Sequence, residues 1–449
     1  MANDLTLTVA IERMGMHGEG IGQTPDGRLA FVRNGLPGET VEARITEVRK
    51  NFVRAVATEH YKQSPNRQVP PCPIYASCGG CALQHWSYSE ELAYKENRVR
   101  QALIRIGGLS NPPVGRIKGA EHDYFYRNKG QFPWGGSADR PTLGLYQRGS
   151  HDVVPVGDCA IQDPLINEVL AAAPALATRY HLGPFNARTG EGVLRHLLIR
   201  SSRHANETLA LLVVGQEPND LVERFAQDLM QACPHLVGVG INRQSHNTNR
   251  VLGPETRTVA GKTHIVEEIL GMRFWMSFTS FFQVNPEQVQ ILYQLVLEAL
   301  GSVQEVWDLY AGVGTLAALA SRSATRVRAL EMHPAAIQDA RRNFDENGLT
   351  SVDITQGTVE NVVAQWVKAS DHPPDAVIMD PPRAGLKPEV VQSLLTLKPK
   401  LVVYVSCNPD TLGRDVALLS QQYDLKLATP VDMFPRTDHV ESCAVLVRH

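Results

Sequence analysis

The period of hydrophobic and polar positions changes along the chain. Over residues 5 to about 60, short alternating runs are broken by glycine turns, among them His17-Gly18-Glu19-Gly20-Ile21-Gly22 and Asn34-Gly35-Leu36-Pro37-Gly38-Glu39. Val41, Ala43 and Ile45 alternate with Glu42, Arg44 and Thr46, the period of a half-buried strand. Several such strands in so few residues predict a small barrel. A proline-containing stretch, 64–73, leads to a helical pattern over 88–106, with Leu92, Val99, Leu103 and Ile106 on its expected apolar face. Residues 120 to about 285 mix both periods; the clearest elements are strands at 194–200 and 208–214 and a helix at 220–232. From Glu287 the pattern sharpens into strands at 305–309, 328–331, 352–356, 376–380 and 401–406, with helices at 315–321, 334–347 and 388–397. Such alternation predicts a mainly parallel sheet covered on both faces, with ligands at the strand C-terminal ends. No internal repeat is present.

Bulk properties narrow the class. A chain of 449 residues exceeds one ordinary core, so several domains are expected. Hydrophobic content of 43% with 20% charge is that of a globular protein in water. No apolar run is long enough to span a bilayer, and the first residues lack the pattern of a secretion signal, so a cytoplasmic protein without membrane association is expected. Nothing in the plan calls for a partner subunit, and a monomer is the default. Net charge is −3, which excludes a polycation; a nucleic acid would be held by local patches. Arg44, Arg49, Lys50, Arg54, Lys62 and Arg67 face only Glu47 and Glu59 between residues 44 and 67, a pattern that alone reads as solvated surface.

Candidate chemistry falls at the strand ends. The run Leu401-Val402-Val403-Tyr404-Val405 stops at Ser406-Cys407-Asn408-Pro409, and Glu441 lies 34 residues beyond Cys407, leading into a last hydrophobic strand. A thiol following a hydrophobic strand, rather than within it, with a carboxylate on a neighbouring element, is equipment for covalent catalysis. Carbon 5 of uracil is a poor nucleophile; a thiolate adding to carbon 6 gives it enolate character, and a base must later remove the carbon-5 proton. Cys407 and Glu441 match those two roles. Cys443 and Cys233 read as core.

Asp308-x-x-x-Gly312-x-Gly314 follows one strand and opens a helix, and Glu331 ends the next strand, where an acidic residue can grip ribose hydroxyls. The third fingerprint glycine is replaced by Ala317, and the loop carries no basic residue. A cofactor without phosphates, such as S-adenosylmethionine, fits better than NAD or ATP. Asp380-Pro381-Pro382-Arg383 aims a carboxylate into the same crevice; alone it resembles the turn of amino-group methyltransferases, and the thiol on the next strand argues against that reading. Cys72, Cys78 and Cys81, with Gly79-Gly80 between the last two, cluster as metal ligands do, and with Cys159 could hold zinc or an iron–sulfur cluster. A reactive uridine must be in a loop or be extruded, and the run Tyr124-Phe125-Tyr126-Arg127-Asn128-Lys129, with Phe132 and Trp134, reads equally as RNA platform and as core. Phe281 is a further stacking candidate, and Arg195-His196 a weak phosphate contact.

Taken together these residues resemble the RNA uracil-5-methyltransferase family, of the large-subunit rRNA (RumA/RlmD-like) type, over essentially the whole length. The resemblance implies a multidomain α/β protein: a TRAM/OB-like RNA-binding β-barrel over 1–62, a central α+β domain over 63–285 with iron–sulfur cysteines and RNA contacts, and a class I (Rossmann-like) methyltransferase domain over 286–449. It implies Cys407 as nucleophile, Glu441 as base, and Cys72, Cys78, Cys81 and Cys159 as ligands of a [4Fe–4S] cluster with a folding or RNA-docking role. S-adenosylmethionine would be bound by Gln283 of Ser280-Phe281-Phe282-Gln283-Val284-Asn285, Tyr310, Gly312, Thr315, Glu331, Thr358 and Asp380. Thr315 and Thr358 stand where related sequences can carry asparagine. The expected partner is RNA, 23S rRNA before tRNA, because the tRNA branch resembles only the catalytic half, though some cluster-bearing relatives act on tRNA. An amino-group methyltransferase and a non-catalytic RNA-binding factor are the competing readings.

Overall fold

The computed structural model describes residues 5–246, 248, 250–369 and 372–449; residues 1–4 of the expected barrel segment lie outside it. Strands β1 (Thr6–Met14), β2 (Gly20–Gln23), β3 (Leu29–Arg33), β4 (Thr40–Val48) and β5 (Phe52–Lys62) close into a barrel in the order β1-β2-β3-β5-β4. Its interior is filled by Val9, Ile11, Ala30, Val32, Val41, Ala43, Val53, Ala55 and Ala57, small enough for a narrow lumen. At Gly22 a Cβ would sit 2.1 Å from the Ala10 carbonyl oxygen, so the closure there requires glycine.

The middle of the chain carries α1 (Tyr88–Arg105), β6 (Lys129–Gly136), β7 (Pro141–Tyr146), β8 (Val153–Pro155), α2 (Pro164–Arg179), β9 (Leu194–Ser202), β10 (Glu207–Val214), α3 (Asp220–Ala232), β11 (Leu236–Arg243) and β12 (Glu255–Gly261). Its seven strands form one sheet in the order β12-β11-β10-β9-β6-β7-β8. Alternate residues of β9 and β10 divide between two cores: Leu197, Ile199 and Leu212 pack under α2 and α3, while Leu198, Leu209 and Leu211 face the hairpin β13 (His264–Ile269) and β14 (Met272–Ser277). Tyr126, Phe132 and Trp134 belong to the first of these cores, so most of the aromatic run is packing, and Phe125 alone is well exposed.

Helix α1 departs from its expected face. Ile106 is 45% exposed, whereas Glu91 and Lys95 are fully buried beside Tyr94, Val99 and Leu103. The helix lies against the last domain: Val99, Leu103 and Ile117 share a core with Leu412, Val416 and Ala428, and residues 114 and 118 bridge to 428 and 431.

That last domain contains α4 (Pro286–Leu300), β15 (Val303–Leu309), α5 (Thr315–Ala320), β16 (Ala324–Glu331), α6 (Pro334–Glu346), β17 (Val352–Gln356), α7 (Val359–Ala369), β18 (Ala376–Met379), α8 (Pro388–Leu397), β19 (Leu401–Ser406), α9 (Pro409–Leu419), β20 (Tyr423–Val431) and β21 (Glu441–Arg448). The sheet order is β17-β16-β15-β18-β19-β21-β20. The pairs among β15–β19 are parallel, and β21 runs antiparallel between β19 and β20. The order reverses beside β15, which opens a crevice at the carboxyl ends of β15 and β18. Among the described residues no helix is long and apolar enough to cross a membrane.

Candidate active site

Strand β19 delivers Cys407 to this crevice. Asn408 caps α9 by accepting from the Asp410 amide at 3.1 Å, and Pro409 occupies the first helical position, so the chain turns off immediately after the thiol. In the antiparallel pairing Ser406 faces Ser442, and one further step of that register sets Cys407 across from Glu441. Strand β18 pairs with β19 on its other side and is followed directly by Asp380. Three neighbouring strands therefore bring thiol and two carboxylates to one edge.

The electrostatics of this edge are strongly biased. Burial pushes the Cys407 thiol up to about 12, with Glu441 and Asp380 adding to the shift and Arg383 opposing it. Glu441 is 3% exposed, and its Oε2 has no partner among the described residues. Burial first, then Asp380, raises its pKa, again against Arg383. Asp380 is raised by burial and eased by the Gln283 amide, whose Nε2 approaches its Oδ2 at 3.5 Å. Arg383 does not offset the burial, so the thiol and these carboxyls are all shifted toward their protonated forms. A positive charge placed there would draw both thiol and carboxyls toward ionisation.

The glycine loop is shaped by left-handed backbone at Tyr310, Gly312 and Gly314, with φ of 70°, 57° and 79°. At Gly314 a side chain is excluded twice, since a Cβ would also lie 2.6 Å from the Phe344 ring. Glu331 accepts the Gly312 amide on Oε2 at 2.9 Å and the Met332 and His333 amides on Oε1 at 2.8 Å, so its carboxylate fixes the loop to the end of β16. Thr315 is buried at the start of α5, and Thr358 is half-buried just before α7. Gln283 is buried in the loop after β14, whose Phe281 is 63% exposed.

Asp308 was not singled out by the sequence as more than part of the loop motif. It is 1% exposed, neither carboxylate oxygen has a partner among the described residues, and burial together with Asp380 raises it well above the ordinary range. The signal was present: a carboxylate inside the otherwise apolar run Val306-Trp307-Asp308-Leu309. Arg383 was quoted only as the end of the Asp-Pro-Pro turn; its backbone carbonyl is held by Asn408 Nδ2 at 3.1 Å, and its Nη2 lies 3.3 Å from His439 Nδ1.

Cys72, Cys78, Cys81 and Cys159 line one small cavity with Ile74, Leu145 and Val156, and all four are free thiols. No three His, Cys, Asp or Glu among the described residues stand close enough to hold a single metal ion. The Gly80 amide donates to Cys78 Sγ at 3.3 Å, and a Cβ at Gly79 would lie 2.9 Å from the Tyr146 carbonyl oxygen. Burial raises Cys78 and Cys159, and takes Cys81 to about 12. Cys233 and Cys443 are core, at 0% and 2% exposure. Arg195 donates to the Gln244 and His246 carbonyls and stacks on Phe185, a structural role. Within the basic stretch Arg67 pairs with the fully buried Glu39 at 2.6 Å, and Arg49 with Glu47.

The tRNA (Uracil-5-)-methyltransferase family model matches residues 241–449, and the TRAM domain model matches residues 5–58. An uncharacterized RNA methyltransferase of Listeria monocytogenes is 37% identical over 98% of this chain and 97% of its own. One of Gloeobacter violaceus is also 37% identical, over 99% of this chain and 96% of its own. Among solved structures, the Pyrococcus abyssi tRNA (uracil-54, C5)-methyltransferase in complex with S-adenosyl-L-homocysteine superposes with a TM-score of 0.79 at 26% identity, covering 98% of this chain and 99% of that one.

Proposed function

Because the chain belongs to the RNA uracil-5-methyltransferase family, with a TRAM barrel ahead of a class I methyltransferase fold, we propose that it methylates carbon 5 of a specific uridine in 23S rRNA with Cys407 as nucleophile and Glu441 as base. The observation that carries the reading is the register of β19 against β21, which sets Cys407 across from Glu441. The Cys407 thiolate adds to carbon 6 of the extruded uracil, and carbon 5 becomes nucleophilic. S-adenosylmethionine supplies an electrophilic methyl group and a positive charge that favours the thiolate. Once carbon 5 has taken the methyl, whose bond to the sulfonium sulfur would break to leave S-adenosylhomocysteine, the Glu441 carboxylate takes the carbon-5 proton. The freed electron pair restores the carbon 5–carbon 6 double bond, and the carbon 6–sulfur bond breaks to return the thiolate. Gln283 and Asp380 would orient one side of the cofactor; Tyr310, Gly312, Thr315, Glu331 and Thr358 would line its nucleoside end.

Residues 1–62 would dock the RNA, residues 63–285 extend that contact through Phe281 and hold the cluster, and residues 286–449 carry the reaction. The four cysteines are assigned to a [4Fe–4S] cluster on the family resemblance, supported by their lining one cavity and by the Gly80 amide that donates to one of the sulfurs. Iron and acid-labile sulfide in anaerobically purified protein would be present in near-equal amounts under this assignment, and zinc alone would refute it. The tRNA reading has two specific supports, the tRNA named in the matching family model and the target named for the Pyrococcus abyssi enzyme, which aligns with 98% of this chain.

The deciding experiment incubates protein and S-adenosylmethionine with 5-fluorouridine-substituted 23S rRNA or tRNA transcripts, followed by denaturing gels. Fluorine at carbon 5 cannot leave as a proton, so the RNA that is the substrate stays attached through Cys407 and is free in Cys407→Ala. Attachment of tRNA alone would move the substrate to tRNA. No attachment of either, with methyl transfer to ordinary RNA intact, would overturn the covalent mechanism.

A further inference from the structure

The nine residues that join β20 to β21, 432–440, end at the proposed base, and five successive or near-successive carbonyls of this strap are among the groups held from outside it. The Met433 carbonyl accepts Asn285 Nδ2 at 3.2 Å, that of Phe434 accepts Lys95 Nζ at 3.1 Å, and that of Pro435 accepts the Tyr126 hydroxyl at 2.9 Å. The Arg436 carbonyl accepts two amides, of Ala82 and Leu83, each at 3.0 Å, and Arg98 donates to the Asp438 carbonyl. The side chain of Arg436 is 3% exposed; it donates to the Trp86 carbonyl at 2.9 Å and to Asp123, and stacks on the rings of Tyr88 and Tyr124. The Arg436 amide donates to Glu91 Oε1 at 2.7 Å. Its backbone is left-handed, with φ of 67°, a conformation that a non-glycine residue keeps only where the surroundings impose it.

Ala82 and Leu83 directly follow Cys81. On their other side they pack with Leu36 of the barrel and with Trp86 and Tyr94. The cysteine turn thus sits between the barrel and the strap.

We propose that Arg436 is a positioning residue for the base: its side chain locks the strap onto the Trp86 carbonyl and Asp123, beside the cysteine turn that its backbone carbonyl meets, and so sets where Glu441 meets the carbon-5 proton. This inference rests on the covalent mechanism proposed above. It separates two half-reactions. Attack by the Cys407 thiolate and methyl transfer do not involve the carbon-5 proton, whereas its removal and breakage of the carbon 6–sulfur bond need Glu441 in place. A slack strap therefore leaves methylated RNA bonded to the protein.

The test compares wild type, Arg436→Met, Arg436→Lys and Tyr126→Phe, the last an isosteric loss of the Pro435 bond. Each is incubated with S-adenosylmethionine and ordinary RNA and run on denaturing gels, with wild type on 5-fluorouridine RNA as control. Arg436→Met is expected to accumulate a covalent RNA complex on ordinary RNA. Its kcat should fall by about 10²-fold, the loss that small misplacements produce, with KM for RNA within about twofold of wild type. Arg436→Lys should recover part of the turnover, and Tyr126→Phe should accumulate a smaller amount of complex. If Arg436→Met does not fold, Tyr126→Phe alone decides, its accumulated complex supporting the proposal and its absence overturning it. A folded Arg436→Met with wild-type turnover, or with both half-reactions lost equally, overturns it too. Failure of the wild-type control to trap fluorinated RNA would instead remove the covalent reading on which the proposal stands.

Discussion

Two groups of buried charge lie close together in this molecule and are built on opposite terms. Around Lys95, most of the charge is answered: its ammonium reaches Glu91 and Asp432 at 2.7 Å each, Glu91 Oε1 also accepts the Arg436 amide, and Tyr88 donates to Asp432 at 2.8 Å, while burial still raises Glu91, whose Oε2 has no hydrogen-bond partner among the described residues. At the sheet edge, Asp308, Asp380 and Glu441 crowd together with little to neutralise them, and Asp308 has no partner for either oxygen among the described residues. The first arrangement is costly to break because removing one member strands the others. The second is costly to keep, since all three groups are held away from their ionised forms. Such unmet charge is expected where a cationic ligand and a proton transfer complete the site.

The contrast can be broken most severely at Cys407. Cys407→Ala should abolish methyl transfer to RNA while thermal unfolding stays near wild type, as measured by radiolabel incorporation beside calorimetry. Lys95→Met should show the reverse bias, destabilising the protein by about 3–5 kcal/mol because Glu91 and Asp432 are left buried without their cation; chemical denaturation would measure this, and a loss under about 1 kcal/mol would mean the network is not what holds α1 to the strap.

Glu441→Gln sharpens the comparison. Turnover should fall by about 10²–10⁴-fold, the usual contribution of a positioned base. Stability should rise, and the sign follows from linkage. The folded pKa lies above the ordinary value of 4.5, so as pH rises past that value the unfolded chain releases this proton first and folding loses free energy. The advantage of glutamine should be absent at pH below that value and grow towards neutral pH; a melting-temperature gain that shrinks with rising pH would refute the burial argument. The smallest effect is expected for Tyr88→Phe, about 2 kcal/mol, because its half-buried hydroxyl both donates to Asp432 and accepts the Ala120 amide.

How much was legible in the sequence follows from the same division. The alternation from residue 303 onward is readable because buried parallel strands are uninterrupted apolar runs, and the observed β15, β16 and β19 begin within four residues of the expected positions. The glycine loop is readable because two of its backbone positions exclude side chains by conformation. Helix α1 misled: Glu91 and Lys95 look like solvent positions, and only a partner more than 300 residues away, Asp432, explains why they are buried and Ile106 is not. The aromatic run 124–134 could not be divided into core and surface without knowing that β6 lies inside a sheet. Helices α7 and α9 and strand β20 went unassigned; β20 carries Lys426, Thr429 and Pro430, which blur its period.

The place of β21 has a consequence for how the molecule comes into being. It follows β19 and β20 in the chain yet lies between them, so the hydrogen-bonding edges of both must stay open until it is threaded in. During synthesis the barrel, the glycine loop and Cys407, the proposed nucleophile, have all emerged before Glu441, the proposed base. Insertion of the last strand closes the sheet and brings Glu441 up to Cys407 in one event. Under the proposed mechanism, a growing chain would hold the nucleophile first and gain the means to let its product go only when folding finishes.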